Sequence, residues 1–382
     1  MAGWTPIVYH PFVIRRFYVH NFRCLENFEL AIADQSSVLL IGKNGSGKTT
    51  VSVALGILQR IARGTNQVDE LVKGKDLSHN RSDVPIRLEI EVELGATTYG
   101  YSVAFEFPKG FRQLRVQEEK LTVNGTPIFT RKLATVHLLK TGSDKEATFN
   151  IDWHLVALPI IQLKSADDPV SVLKQWLARM MILRPIPGLI RGESDHETLE
   201  PNSQVTNLGA WFSGIVAHAP SAYSIIDQHL KQLIHDFAQI RNPAVGTDVR
   251  SLMVAFTNEK SALVVEFEDL SDGEKCFMIG ALVLAASEAY DGPVLCFWDE
   301  PDNYLALSEV QHFVMALRRA FGSRGQFIAT SHNPEVIRSF SNENTLLLYR
   351  NSHLEPTIVR PLDELKINGD LVGALTRGDL EP

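Results

Sequence analysis

Residues 42–49 read Gly-Lys-Asn-Gly-Ser-Gly-Lys-Thr. A glycine, four residues and then Gly-Lys-Thr is the spacing of a phosphate-binding loop. The apolar run Val38-Leu39-Leu40-Ile41 precedes it, and a helix-compatible stretch, residues 50–62, follows. Strand, glycine-rich turn and helix is the context that such a loop requires. Glycines let backbone N–H groups turn inward onto phosphate oxygens. The start of the following helix favours negative charge. The candidate binding residues are therefore Gly42, Asn44, Gly45, Ser46, Gly47, Lys48, Thr49 and Thr50. Lys48 is placed to reach β- and γ-phosphates, and the Thr49 hydroxyl to ligate Mg²⁺.

Three later segments have the character of strand or helix ends that carry chemistry. Pro293-Val294-Leu295-Cys296-Phe297-Trp298 is a buried-strand run that ends in Asp299-Glu300. Past the strand end, Asp299 can hold Mg²⁺ through water while Glu300 faces an attacking water as general base. Ser271-Asp272-Gly273-Glu274 opens a second helix-compatible stretch. Ser271, Gly273 and Glu274 form either a phosphate-binding helix start or a plain capping box. Ile328-Ala329-Thr330-Ser331-His332 is a further apolar strand, with His332 at its tip as a γ-phosphate contact.

Composition narrows the classes. The chain has 382 residues, 45% hydrophobic and 21% charged, which is enough for a large core. The net charge of −8 argues against a generally basic surface that coats nucleic acid. Three cysteines, Cys24, Cys276 and Cys296, without a C-x-x-C pair, read as buried thiols in a reducing compartment. No apolar run approaches the ~20 residues of a membrane span. Residues 6–11, which include two prolines and a histidine, lack the charged start and apolar core of a signal peptide. The expectation is a soluble, cytoplasmic protein.

Periodicity divides the chain into three. Residues 1–167 are expected to form an ATPase lobe with the phosphate loop and an antiparallel meander. Within it Ile86, Leu88, Ile90 and Val92 alternate with Arg87, Glu89, Glu91 and Glu93. Residues 168–245 read as a helical insertion, with helices over 170–183 and 222–240 and a mobile polar loop over 191–203. Prolines at 185, 187, 201 and 220 exclude a long coiled coil. Residues 246–382 read as a second ATPase lobe in which helices alternate with buried strands.

The order of the pieces resembles the ABC-type ATPases, and specifically the SMC-like and RecF-like branch. There they are called Walker A, signature, Walker B and switch histidine. The start His20-Asn21-Phe22-Arg23 looks like the opening of that branch, and the runs Asp299-Glu300-Pro301-Asp302 and Ser331-His332-Asn333-Pro334 look like motifs of its compact members, which often belong to bacterial antiphage systems. The resemblance implies an ABC-type α/β fold with an antiparallel β subdomain. It implies ATP and Mg²⁺ as cofactors, Glu300 and His332 as catalytic residues, and Thr49, Asp299 and a Q-loop residue at the metal. Gln162 is the candidate for that last role. It further implies a homodimer or higher oligomer that closes on ATP and acts on a separately encoded effector. The alternative is a DNA-binding repair ATPase, which leaves a nucleic-acid partner open. Asn303-Tyr304-Leu305-Ala306-Leu307 lacks the Asp or His-Pro usual after Walker B, which puts a cross-dimer contact there in question.

Overall fold

The computed structural model describes residues 13–139, 147–162, 165, 167–290, 292–322 and 324–365. Residues 6–11, read above for a signal peptide, lie outside the described residues, as does the end of the 246–382 segment.

The sequence alternation over 86–93 becomes one strand of an eight-stranded antiparallel sheet. Its order is Phe28–Ala31, Ile14–His20, Ile86–Leu94, Thr97–Glu106, Arg115–Val123, Thr126–Lys132, Thr135–Leu138 and Ala147–Asn150. Ile86, Leu88, Ile90 and Val92 are buried, whereas Arg87 and Glu89 stand on the wet face. There Arg16 joins Glu29 and Glu89, and Arg87 joins Glu118, as cross-strand ion pairs, while Arg87 also meets Glu89 along its own strand.

The continuous apolar runs form the first five strands of a second sheet and are buried on both faces. Its order is Met181–Leu183, Val294–Asp299, Gly325–Thr330, Ser37–Ile41, Thr345–Tyr349 and Ile358–Pro361. All neighbours are parallel except the last pair. Successive strand residues face opposite sides. Leu295 and Phe297 enter the core shared with the antiparallel sheet and the loop helix Lys48–Ala62. Cys296 and Trp298 enter a second core with the helices Asp272–Ala289 and Leu307–Phe321. Asp272–Ala289 is buried on nearly every side, which explains its lack of a polar stripe.

One buried polar cluster ties the antiparallel sheet to the chain that leaves it. Glu119 accepts hydrogen bonds from the Ala157 and Leu158 N–H groups, both at 2.8 Å, and from the Tyr101 hydroxyl at 2.9 Å. Arg131 pairs with it at 3.7 Å and donates to the Leu155 and Asp152 carbonyls. Burial pushes the Glu119 carboxyl up, against the pull of these donors.

The 168–245 segment is more mixed than its helical spacing predicts. The helix expected over 170–183 is Pro169–Arg179, which packs on the loop helix, and the chain then joins the parallel sheet as Met181–Leu183. The helix expected over 222–240 ends at Leu233, and Phe237–Arg241 pairs with Met253–Thr257. The 191–203 stretch is anchored: Glu193–Ser194 pairs with Arg250–Ser251, and the Gly192 N–H donates to Glu268 at 2.7 Å. Helix Leu208–His218 lies so close to this stretch that a Cβ on Gly209 would strike the Gly192 carbonyl. The described residues contain no coiled coil.

Candidate functional site

The phosphate loop runs from the end of strand Ser37–Ile41 to the start of helix Lys48–Ala62. Gly47 is the helix cap at φ 104°, a conformation that L side chains rarely adopt. A Cβ there would stand 2.6 Å from the Thr357 Oγ1. Thr357 holds the loop from outside by donating to the Ser46 carbonyl at 2.9 Å. Arg350 adds a bond to the Gly45 carbonyl at 3.3 Å. The hairpin formed by strands Thr345–Tyr349 and Ile358–Pro361 thus straps the loop into shape.

Asn44, Gly45, Ser46, Gly47, Lys48, Thr49 and Thr50 line a cleft of about 420 Å³, and Glu300 and His332 close its far wall. Gly42 lies behind it, where its carbonyl accepts a 2.7 Å bond from Lys48 Nζ. The second Lys48 partner is the Lys43 carbonyl at 3.4 Å. Lys48 is only 6% exposed, and no carboxylate among the described residues lies within ion-pair distance of it. Burial lowers its pKa, while Glu300 and Asp299 oppose the shift from further off. The Ser46 hydroxyl is buried without a partner. A buried ammonium without a counter-ion, an orphaned hydroxyl and a glycine cradle fit a phosphate group.

The strand ends supply the metal and acid-base groups. The Thr49 hydroxyl donates to Asp299 Oδ2 at 2.9 Å, and the Thr330 hydroxyl donates to Asp299 Oδ1. Thr49 and Asp299 therefore bring two hard oxygens together, as Mg²⁺ requires. Glu300 follows with φ at 55°, so the chain turns sharply and sends its carboxylate into the cleft. Asn303 donates to Glu300 Oε2 at 2.6 Å, and His332 Nε2 lies 3.6 Å from Oε1. Burial, then Lys48, lowers the His332 pKa. Asp302 is buried beneath this turn, and burial raises its carboxyl.

Ser271, Gly273 and Glu274 are not among the residues that line this cleft. Ser271 caps helix Asp272–Ala289, and its hydroxyl and N–H meet Glu274 in a reciprocal capping box. Ser271 is exposed, and Gly273 lies against the Tyr304 carbonyl. The capping role that the sequence left open is thus present, and the motif is exposed and outside the lining of its own cleft. Gln162 is exposed and also absent from the cleft lining. The residue that follows the strand beside Val294–Asp299 is Arg184, and its Nε lies 3.8 Å from Asp299 Oδ2.

Five cleft residues escaped the sequence reading: Arg23, Cys24, His79, Arg350 and His353. Arg23 belongs to the Asn21-Phe22-Arg23 start, where that motif gave a signal but no role. Asn21, at φ 53°, bonds the Arg81 and Val84 carbonyls, and Arg23 pairs with Asp76 at 2.9 Å. Nothing in the local sequence marked the other four.

The sequence matches the RecF/RecN/SMC N-terminal domain family over residues 13–354. No curated protein matches it. Among solved structures, an SMC head bound to the C-terminal winged-helix domain of ScpA superposes with a TM-score of 0.56 at 12% identity, covering 92% of this chain and 99% of that one. An SMC head with an extended coiled coil, bound to the C-terminal domain of ScpA from Pyrococcus furiosus, gives 0.51 at 12% identity, covering 92% and 97%. At such identity these likenesses speak for the fold alone, an SMC head-like α/β fold of the ABC type. With nine-tenths of its length inside the matched region, the chain belongs to the RecF/RecN/SMC N-terminal domain family.

Proposed function

We propose that this protein hydrolyses ATP with Mg²⁺, closes as a dimer when ATP is bound, and so controls a separately encoded effector in antiphage defence. The observation that carries the enzymatic part is the convergence of Lys48, Thr49, Asp299, Glu300 and His332 at one cleft. Lys48 and the loop N–H groups bind and orient the phosphates. Thr49 and Asp299 would hold Mg²⁺, which supplies charge neutralisation between β- and γ-oxygens. Glu300 takes the proton of the attacking water, with Asn303 holding one of its oxygens and His332 near the other.

The dimeric part rests on the Ser271 helix start. In a single chain this exposed, self-capped helix start is not among the residues that line the cleft. A second copy in reciprocal orientation would bring it to the open side of the cleft. Binding of ATP and assembly are then linked. An assembly equilibrium set by nucleotide is a switch, and its output is assigned here to another chain. What supports a protein partner is the pair of related heads seen bound to ScpA domains. The reading also places the protein in the cytoplasm; no described helix is long and apolar enough to cross a membrane.

Light scattering tests the assembly. Glu300→Gln with Mg·ATP should run as a dimer or larger, and adding Ser271→Arg should return it to monomer while single-chain ATP binding survives. Equal masses for both proteins with and without ATP would refute the shared site. Co-expression with the adjacent gene, pull-down and phage challenge test the role. Salt-dependent loading onto gapped DNA, with no copurifying protein and no protection, would replace it by the repair-ATPase reading.

A further inference from the structure

Asp299 has two cationic claimants, and only one of them is a metal. The last pair between the edge strand Met181–Leu183 and its neighbour Val294–Asp299 is Leu183 with Trp298, so Arg184 leaves its strand beside Asp299. Pro185 follows and holds Arg184 extended. Its backbone N–H donates to the Ser203 carbonyl at 2.6 Å, which fixes where the side chain begins. The guanidinium Nε then lies 3.8 Å from Asp299 Oδ2. This is the same oxygen that accepts the Thr49 hydroxyl at 2.9 Å. Asp299 is 5% exposed at its side chain and Arg184 67%. A buried carboxylate thus borrows a positive charge from a side chain that can swing into water at little desolvation cost.

We propose that Arg184 is an electrostatic placeholder for Mg²⁺ at Asp299. It neutralises the carboxylate while the cleft lacks metal, and it yields when Mg·ATP enters. This rests on the nucleotide reading above and adds a positioning residue to it. Lys48 cannot serve the same purpose, because it is buried and bound to loop carbonyls. The two cations near Asp299 therefore divide their work: Lys48 stays for the phosphates, and Arg184 gives way to the metal.

The charge at position 184 then sets how readily metal binds. Removing it should strengthen the apparent affinity for Mg²⁺ by about three- to tenfold, the scale of an exposed ion pair acting on a divalent ion. It should weaken metal-free nucleotide binding, since one positive charge beside Asp299 is lost. The experiment is a titration of the full chain with the fluorescent nucleotide mant-ATP, first in EDTA and then at rising Mg²⁺. The Mg²⁺ half-saturation should fall from the parent to Arg184→Gln and further to Arg184→Glu, while Arg184→Lys keeps the parent value. Apo thermal unfolding of each variant checks the fold. A merely structural role would change stability and leave the Mg²⁺ curve alone. Identical Mg²⁺ curves for the parent, Arg184→Gln and Arg184→Glu overturn the proposal, as does Arg184→Lys behaving like Arg184→Gln. Failure of the parent to bind mant-ATP at all would remove the nucleotide reading and this inference with it.

Discussion

Replacing Lys48 by methionine separates what the phosphate loop needs from what the fold needs. The Lys48 ammonium is almost wholly buried, and burial lowers its pKa. Its partners in the free protein are two carbonyl oxygens, at 2.7 and 3.4 Å. Hydrogen bonds from a charged donor are worth about 1.5–3 kcal/mol each at good geometry. Keeping an ammonium out of water costs several kcal/mol even after relaxation. Methionine fills the same tunnel without either term, so the two losses offset. Apo stability should change by about 1 kcal/mol or less. Ligand linkage is a different matter. Mg·ATP at a hundredfold excess over its Kd stabilises a binding protein by about 2.7 kcal/mol. Unfolding entropy near 2.1 cal/mol/K per residue gives about 0.8 kcal/mol/K for 382 residues, so Tm should rise by about 3 °C. The assay is thermal unfolding of parent and Lys48→Met, each with and without Mg·ATP. The parent should gain that shift, and the variant should unfold at the apo temperature in both conditions. A variant with the full ligand shift would refute the role of Lys48. An apo Tm lowered by more than about 5 °C would show that Lys48 is a structural group, since that is about 4 kcal/mol by the same entropy.

Two further predictions concern the scaffold. Glu119→Leu should destabilise the protein by about 3–5 kcal/mol in urea unfolding, because it strands the Arg131 charge and two buried N–H groups; a loss under 1 kcal/mol would contradict the tying role of this buried polar cluster. His229 is buried with its Nε2 unpartnered, and burial lowers its pKa from 6.5 to about 4. The unfolded chain then binds the proton more tightly, so stability is lost as pH falls from 6.5 towards 4. Between pH 7 and pH 5 that loss is about 2 kcal/mol, and His229→Leu should flatten the profile by this amount.

How far the sequence reached depended on whether a signal was local. The phosphate loop, the capping box at Ser271 and the apolar run into Asp299 are each contained in a few residues, and the structure places all three where their spacing put them. The meander was legible for the same reason, since a period of two needs only one strand to show itself. Met181–Leu183 was not. It continues the apolar spacing of helix Pro169–Arg179, and its identity as a strand comes from pairing with residues 296–298. Tertiary pairing there overrides local spacing. Phe237–Arg241 was lost to the same extension of a helical pattern. Arg350 and His353 are brought to the cleft by a hairpin, and Arg184 is brought to Asp299 by sheet order, and no motif accompanies them. The 191–203 stretch reads as polar because its side chains are, yet the close approach of Gly209 pins its backbone.

Phosphate release from ATP by the parent and by Glu300→Gln tests the central claim most directly. The exchange keeps the shape of the side chain and its bond from Asn303 while removing the proton acceptor that faces the cleft. The account predicts Mg²⁺-dependent turnover by the parent, a fall of about 10²–10⁴-fold in the variant, and nucleotide binding retained by both. Equal turnover by the two proteins, or none by the parent at saturating Mg·ATP, would contradict it.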